Sequence, residues 1–114
     1  MYSIEYADEV EGDLAALRPF ERERMVDTID EQLVHQPTAI SRHRKPLWGV
    51  APVRQGRVPV WELRVGDHRA FYDVDEAAQR VVVRAVVHKG RRTTAQLLAA
   101  LRDGTDPEDN GGEV

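Results

Sequence analysis

Arginines recur in three neighbouring segments of the second half of the sequence, and each segment alternates polar with apolar residues. Arg64, Arg69 and Arg84 stand in VWELRV, HRAFYDV and RVVVRAVVH, respectively. In a β-strand every second side chain points to the same face of the sheet. If the three strands pair in order, their guanidinium groups gather on one surface, and planar guanidinium donors match the oxygens of a phosphate.

A carboxylate and an imidazole accompany these arginines on the predicted surface. Glu62 shares the strand phase of Arg64, and His88 shares the phase of Arg84. His88 is our candidate for proton transfer near neutral pH, although a histidine at a strand end is more often structural. Such a surface can hold an RNA backbone and stabilise charge that develops on a phosphate during cleavage. Three basic side chains extend its edge: Lys89, Arg91 and Arg92.

A structural alternative requires no ligand. Arg64 or Arg84 can pair with Glu62 or Asp73 on a neighbouring strand, as cross-strand ion pairs commonly do. This alternative suits a single arginine better than the whole cluster, because few acids lie nearby. The same surface should also carry two apolar spots that a partner protein can cover, Phe71 and Val86.

Composition excludes several kinds of site. The 114 residues include no cysteine, which excludes a disulfide scaffold, a thiolate metal site and a cysteine nucleophile. His35, His43 and His68 lack the spacing of metal ligands, so we predict no metal and no other cofactor. No apolar stretch approaches the ~20 residues of a membrane span, and the acidic N-terminus does not resemble a signal peptide. We therefore expect a cytoplasmic protein with no membrane partner.

The net charge of −4 conceals a separation of charge along the chain. Residues 1–36 carry 10 acidic and 3 basic side chains, whereas residues 37–102 carry 5 acidic and 13 basic ones. A basic block inside an acidic protein indicates an anionic partner for that block. The alternative is that the two halves neutralise each other across the fold.

The first third of the sequence predicts one strand and two helices. Apolar residues at alternate positions indicate a short strand over residues 1–6. A helix capped by Asp8 follows, and Pro19 separates it from a second amphipathic helix. The second helix begins near Glu21 and ends before Pro37, because the residue preceding a proline avoids the helical region.

The remainder predicts a loop, three strands and a last helix. Residues 37–56 contain three prolines and two glycines, which indicates a loop with room for an extra hairpin arm around Trp48–Val53. A period of two follows, interrupted by turn residues. The predicted strands are Val58–Val65, His68–Val74 and Arg80–His88, and the predicted helix is Ala95–Leu101.

These elements predict an α+β fold of the order β-α-α-β-β-β(-α). A helical hairpin should pack on one face of a small, mostly antiparallel sheet and leave the other face partly open. Residues 1–102 should form a single domain, and the acidic tail 103–114 should be disordered because it is poor in apolar residues. Alternation predicts the strand residues that face the helices: Trp61, Leu63, Val65, Ala70, Tyr72, Ala85 and Val87.

The stretch WELRVGDHRAFYDVDEAAQRVVVRAVVHKGRRT, residues 61–93, resembles the hairpin and central strand of the RelE/ParE toxin superfamily. The helical hairpin that ends in QLVHQP, and SRHRKPL after it, are similar to that family as well. The resemblance covers roughly residues 2–98. It implies a toxin of a type II toxin–antitoxin pair, held inactive by a cognate antitoxin. RelE-like members are metal-independent endoribonucleases that cut mRNA on the ribosome. ParE-like members share the fold but lack the catalytic residues of RelE, and they poison DNA gyrase instead.

Carried over to this chain, the resemblance gives roles to individual residues. Arg64 matches a lysine of the RelE site, and Arg69 matches the arginine that contacts the scissile phosphate. Glu62 replaces a second lysine, proposed as general base, and the C-terminal tyrosine expected near Gln96 is absent. His88 must then supply the general acid, or the protein is a ParE-like toxin or a catalytically impaired relative. Further basic residues match RNA or ribosome contacts: Arg44, Lys45, Lys89 and Arg91.

Overall fold

The computed structural model describes residues 1–103, so nearly all of the tail predicted to be disordered lies outside the described part of the chain. Five strands and three helices follow one another in the order β-α-α-β-β-β-β-α. The elements are β1 Ser3–Tyr6, α1 Asp8–Ala15, α2 Pro19–Leu33, β2 Arg44–Leu47, β3 Val60–Val65, β4 His68–Asp75, β5 Arg80–His88 and α3 Thr94–Arg102.

The strands form one open sheet in the order β1-β5-β4-β3-β2. Strand β1 runs parallel to β5, and all other pairs are antiparallel. The predicted α+β class with a helical hairpin and a mostly antiparallel sheet is confirmed. No helix within residues 1–103 combines the length and the apolar character needed to cross a membrane.

Strand β2 was not predicted, because its segment is rich in loop-forming residues. The extra strand lies at Arg44–Leu47, and not around Trp48–Val53 where the sequence left room for an arm. It pairs antiparallel with β3, so that Pro46 stands opposite Trp61. A proline is tolerated there because β2 is an edge strand, where one side of the backbone needs no partner.

The helical hairpin covers one face of the sheet, which we call the first face. Pro19 starts α2 at a position where its missing N–H removes no helical bond, and Met25, Ile29 and Leu33 repeat every four residues. These side chains are buried against strand residues of the predicted phase, Trp61, Leu63, Val65, Ala70 and Tyr72. The predicted orientation of β3 and β4 is therefore correct.

A β-bulge changes the phase of β5. Tyr72 pairs with Val83 but Phe71 pairs with Ala85, so Arg84 is an extra residue in the ladder. Such an insertion reverses the alternation beyond it. The orientation predicted for the end of β5 is therefore wrong: Val86 packs on the first face, and Ala85 and Val87 pack on the second.

Most of the second face is covered, although the sequence predicted it to be partly open, and Arg64 and Lys45 stay exposed at its end. Helix α3 and residues 48–59, which we call the crossing loop, lie over it. They bury a second apolar cluster of Val53, Val60, Phe71, Ala85, Val87, Leu97 and Leu101. Phe71 is fully buried and Val86 is 3% exposed, so neither is the exposed apolar spot that the sequence predicted for a partner.

Side-chain anchors hold the crossing loop in place at the far edge of the sheet. Arg54 pairs with Asp13 of α1 at 2.8 Å and donates to the Arg84 carbonyl at 3.0 Å. Asp13 also accepts the backbone N–H of Val86 at 2.9 Å. Strand β1 pairs only with Arg80–Val83 of β5. Within residues 1–103, the contacts of Arg54 and Asp13 therefore occupy polar backbone groups of β5 that have no partner strand on that side.

Candidate functional site

Two arginines stand directly opposite each other at the hairpin end of β3 and β4. Arg64 and Arg69 are register partners, and like charges placed so destabilise a sheet unless an anion lies between them. Arg64 is exposed, whereas Arg69 is 8% exposed. Burial lowers the pKa of Arg69 from its ordinary value, and Arg64 lowers it further while Glu62 opposes the change. This arginine pair is the centre of the candidate site.

Backbone carbonyls fix the guanidinium of Arg69. Its Nη1 donates to the carbonyl oxygens of Gly66 at 2.9 Å and of His68 at 2.8 Å, and its Nε lies 3.8 Å from Glu62. Within residues 1–103 the third nitrogen, Nη2, has no hydrogen-bond partner and is not among the fully buried unsatisfied atoms. The group is therefore held rigidly with one N–H-bearing nitrogen left for a ligand.

Glu62 lies beside the arginine pair as a buried carboxylate. It is 5% exposed, accepts the hydroxyl of Thr94 at 2.8 Å and lies 3.7 Å from the Lys45 ammonium. Lys45 keeps 56% of its side chain exposed. The second face thus brings together Arg64, Arg69, Glu62 and Lys45, and Thr94 joins them through its bond to Glu62.

Arg84 does not join this group. Its Nε lies 2.8 Å from Asp73, whose side chain is almost completely buried, and its Nη2 donates to the same carboxylate at 3.4 Å. The crossing loop covers the pair so closely that a Cβ on Gly56 would lie 2.3 Å from Asp73 and 2.7 Å from Arg84. For Arg84, the structure contains the internal ion pair of the structural alternative, and the phosphate contact stays a prediction.

His88 lies on the first face, separated by the sheet from the arginine pair. Its ring contacts that of His68 edge to face, with centroids 5.2 Å apart, and its Nε2 lies 2.5 Å from Asp67. The position follows from the bulge at Arg84, which reverses the phase of the rest of β5. The predicted placement of His88 on the same surface as Arg64 and Arg69 is therefore wrong.

Most of the basic residues predicted after β5 form hydrogen bonds to backbone carbonyls of the protein itself. Lys89 donates to the Arg92 carbonyl at 2.7 Å, and Arg92 donates back to the Lys89 carbonyl at 3.3 Å and to that of His88. These bonds fix the turn that leads into α3, while Arg91 stays exposed beside them. Of this basic segment, Arg91 is the side chain best placed to meet a ligand.

Arg44 is also internal. It is 8% exposed, and it donates to the Ala39 carbonyl at 2.8 Å, to the Gln32 carbonyl at 3.2 Å and to the Gln32 side chain. A guanidinium that binds carbonyls at the end of a helix satisfies acceptors the helix leaves unpaired. Arg44 thus links β2, the preceding loop and α2, and the RNA contact predicted for it stays a prediction.

One arginine of the site was missed at the sequence level. Nη1 of Arg24 lies 2.9 Å from the position that a Cβ on Gly66 would occupy. Arg24 belongs to α2, which the sequence identified only by its apolar stripe. No local signal links residues 24 and 66, because their proximity depends on how α2 packs against the β3–β4 turn.

Metal binding has no support in the same region. Among residues 1–103, histidine, aspartate and glutamate side chains nowhere form a group of three or more that could hold a metal ion.

Comparisons with known proteins identify the fold and the family. Residues 4–93 match the family model described as the ParE toxin of type II toxin–antitoxin systems, parDE. No protein among curated sequences matches the chain. The RelE–RelB complex from Pyrococcus horikoshii contains a chain similar in structure, with 20% identity, a TM-score of 0.62 and coverage of 79% of this chain and 97% of that one.

Two bacterial structures are similar as well. The RelBE2 complex of Mycobacterium tuberculosis matches with 25% identity and a TM-score of 0.60, over 76% of this chain and 96% of that one. The isolated RelE toxin of E. coli matches with 18% identity and a TM-score of 0.59, over 90% and 99%. The resemblance that residues 61–93 indicated is confirmed, because the family model spans both the helical hairpin and this stretch. The chain belongs to the RelE/ParE family of toxins from type II toxin–antitoxin systems.

Proposed function

We propose that this toxin is a metal-independent endoribonuclease that cuts mRNA on the ribosome. The observation that carries the proposal is the arginine pair, Arg64 opposite Arg69, with an unpaired nitrogen on the fixed guanidinium. Two opposed positive charges favour a bound anion, and arginine binds phosphate oxygens in a bidentate manner. A scissile phosphate held there lies next to the carboxylate of Glu62.

Each group has a role in the proposed cleavage. Glu62 accepts the proton of the 2′-hydroxyl, whose oxygen forms a bond to the adjacent phosphorus while the bond to the 5′-oxygen breaks. The arginine pair stabilises the negative charge that develops on the phosphate oxygens. Lys45, 3.7 Å from Glu62, gives a proton to the leaving oxygen, since His88 lies on the opposite face.

The test is induction of single variants followed by growth measurement and mapping of mRNA 5′ ends. Arg64→Ala should abolish both growth arrest and new ends, and Glu62→Gln should abolish the ends while RNA binding persists. Arg69→Lys, which keeps the charge but loses the fork of donors, guards against a folding defect of Arg69→Ala. Arg80→Ala, at the start of β5 beside Glu5, is the matched control that should behave as wild type. Normal toxicity of Arg64→Ala would exclude this site.

A second candidate is a ParE-like toxin that binds DNA gyrase and performs no chemistry. The position of His88 favours it, because the imidazole lies on the first face and cannot act as the general acid beside the arginine pair. Under this candidate, induction blocks DNA supercoiling and leaves mRNA intact. New mRNA 5′ ends within minutes of induction, with unchanged plasmid topology, would exclude it and leave the nuclease.

A cognate antitoxin is the proposed regulatory partner. Similar structures from Pyrococcus horikoshii and Mycobacterium tuberculosis are complexes of a toxin with its antitoxin. An acidic antitoxin segment would compete with RNA for Arg64 and Lys45, which are exposed, whereas Phe71 and Val86 are buried within this chain. Co-expression with the product of a neighbouring short gene should restore growth and yield a stable complex. Unrelieved toxicity and no complex would contradict the pairing.

A further inference from the structure

Three guanidinium groups converge on the β3–β4 turn. Arg69 donates to the Gly66 carbonyl at 2.9 Å, and Nη1 of Arg24 lies 2.9 Å from where a Cβ of Gly66 would be. Arg64 stands opposite Arg69 in the same hairpin. Glu62 pairs with only one of the three, at 3.8 Å from Arg69. Asp67 of the turn also acts on Arg69 and pairs with His88, so three guanidinium groups face two nearby carboxylates.

Arg24 opens onto a cleft between α2 and the end of β3. The cleft has a volume of about 380 Å³, and Arg24, His43 and Arg64 contribute basic groups to its lining. The cleft forms because β2 pairs with β3 only as far as Leu63. The backbone N–H of Arg64 still donates to the His43 carbonyl at 2.8 Å. Beyond this bond, no strand within residues 1–103 lies beside the edge of β3. The other lining residues are Thr28, Glu31, Gln32, Val65 and Gly66.

The basic side chains of this cleft are not held by hydrogen bonds or ion pairs to other described residues. Within residues 1–103, no hydrogen bond or ion pair occupies the guanidinium of Arg24 or of Arg64, or the imidazole of His43. This contrasts with Arg44, Arg84 and Arg92, each of which directs two guanidinium nitrogens at groups of the protein itself. One acid, Glu31, lines the cleft against three basic groups.

We propose that this cleft is a second phosphate subsite, which binds the RNA phosphate adjacent to the one held by the arginine pair. Arg64 belongs to both places, so a strand lying across it passes from the second face of the sheet around the edge of β3 to α2. The inference rests on the proposed RNA-directed function. It adds Arg24 and His43, from the helical hairpin and the loop before β2, to the residues that position the substrate.

The arrangement favours a flexible single strand over a rigid duplex. Arg64 is at a strand end, Arg24 is on a helix, and the cleft turns around the sheet edge between them. A backbone that bends at each nucleotide can follow this path. Binding by charge can be recognised from its salt dependence. Each phosphate neutralised on a single strand releases counterions and contributes about 0.7 to the salt slope, the slope of log affinity against log salt concentration.

The test is the binding of a fluorescent single-stranded RNA, 2′-O-methylated to prevent cleavage, measured by anisotropy over a series of salt concentrations. Arg24→Ala should weaken binding several-fold at low salt and reduce the salt slope by about 0.7. Arg24→Lys should keep the slope and lose part of the affinity. Arg80→Ala, which removes a 41%-exposed side chain at the start of β5, is the control and should change neither.

The outcomes separate this inference from the proposed function. If wild type binds RNA but Arg24→Ala and His43→Ala bind equally well with the same slope, the subsite is refuted and the arginine pair stands. If wild type does not bind RNA at all, the subsite is refuted, whereas the nuclease proposal is decided separately by the mapped mRNA 5′ ends. If Arg24→Ala weakens binding to the antitoxin and leaves RNA binding unchanged, the cleft serves an acidic peptide, which also overturns the subsite. Weaker RNA binding with a lower slope supports it even where no mRNA cleavage is seen.

Discussion

Replacing Asp73 with alanine is expected to destabilise the fold by about 3 kcal/mol, the lower end of the range for buried pairs, because the change leaves the Arg84 side chain, which is 20% exposed, without its counter-charge. Asp73 is 2% exposed. Its Oδ2 accepts Arg84 Nε at 2.8 Å and the backbone N–H of Arg57 at 3.0 Å, and its Oδ1 accepts Arg84 Nη2 at 3.4 Å. The alanine variant removes both acceptor oxygens and the three hydrogen bonds that they accept.

A matched control lies two residues further along the same strand. Asp75 pairs with Arg57 at 3.0 Å and with Arg80 at 3.6 Å, and these partners keep 58% and 41% of their side chains exposed. Exposed pairs of this kind are worth about 0 to 1 kcal/mol. The same substitution, Asp75→Ala, should therefore have little effect, although both residues bind arginine.

Urea unfolding followed by tryptophan fluorescence measures both variants. Trp61 is 6% exposed and stacks on Tyr72 with ring centroids 6.1 Å apart, so its emission reports the loss of the core. With a total stability of about 5 to 15 kcal/mol for a domain of this kind, Asp73→Ala should shift the midpoint strongly at constant slope. Asp73→Asn, which retains one acceptor oxygen, should fall between wild type and the alanine variant.

Equal destabilisation by Asp73→Ala and Asp75→Ala would refute the reasoning. It would mean that solvent reaches Arg84 as freely as it reaches Arg57, and Arg84 would then be available to a phosphate, as the sequence first suggested. The RNA-binding salt slope supplies an independent check. Arg84→Ala should leave this slope unchanged in the folded protein, whereas Arg64→Ala should lower it by about 0.7.

Three further predictions concern the turn, the exposed lysine and the buried phenols. Gly66→Ala should cost about 1–2 kcal/mol in urea unfolding, because Gly66 has φ +59° and faces Arg24. Lys45→Ala should change stability by less than about 0.5 kcal/mol but weaken RNA binding in anisotropy. Burial raises the pKa of Tyr6 to about 12 and also raises that of Tyr72. The two protonated phenols should contribute fully to the free energy of unfolding below pH 10, and this contribution should decline as the pH rises towards 12. Tyr72→Phe should make the decline smaller in thermal unfolding measured over a series of pH values.

Local patterns in the sequence determined the class of the fold and part of the site. The apolar stripe of α2 and the alternation of β3 are properties of short segments, so their buried faces could be predicted without knowing what covers them. The register of the β3–β4 hairpin follows from its short turn, and this places Arg64 opposite Arg69. The arginine pair is accordingly the part of the predicted cluster that the structure keeps together.

Only the tertiary structure determined where the other predicted residues lie and which groups they contact. One extra residue at Arg84 shifts the phase of β5, and a bulge depends on pairing between strands rather than on local sequence. That shift sends His88 to the first face, while the crossing loop places Arg84 against Asp73. Arg24 reaches the site only because α2 packs beside the β3–β4 turn, a contact between residues 24 and 66 that no periodicity encodes. Side-chain alternation fixes direction within a strand, but contacts between distant segments determine which charges are neutralised and which are left for a ligand.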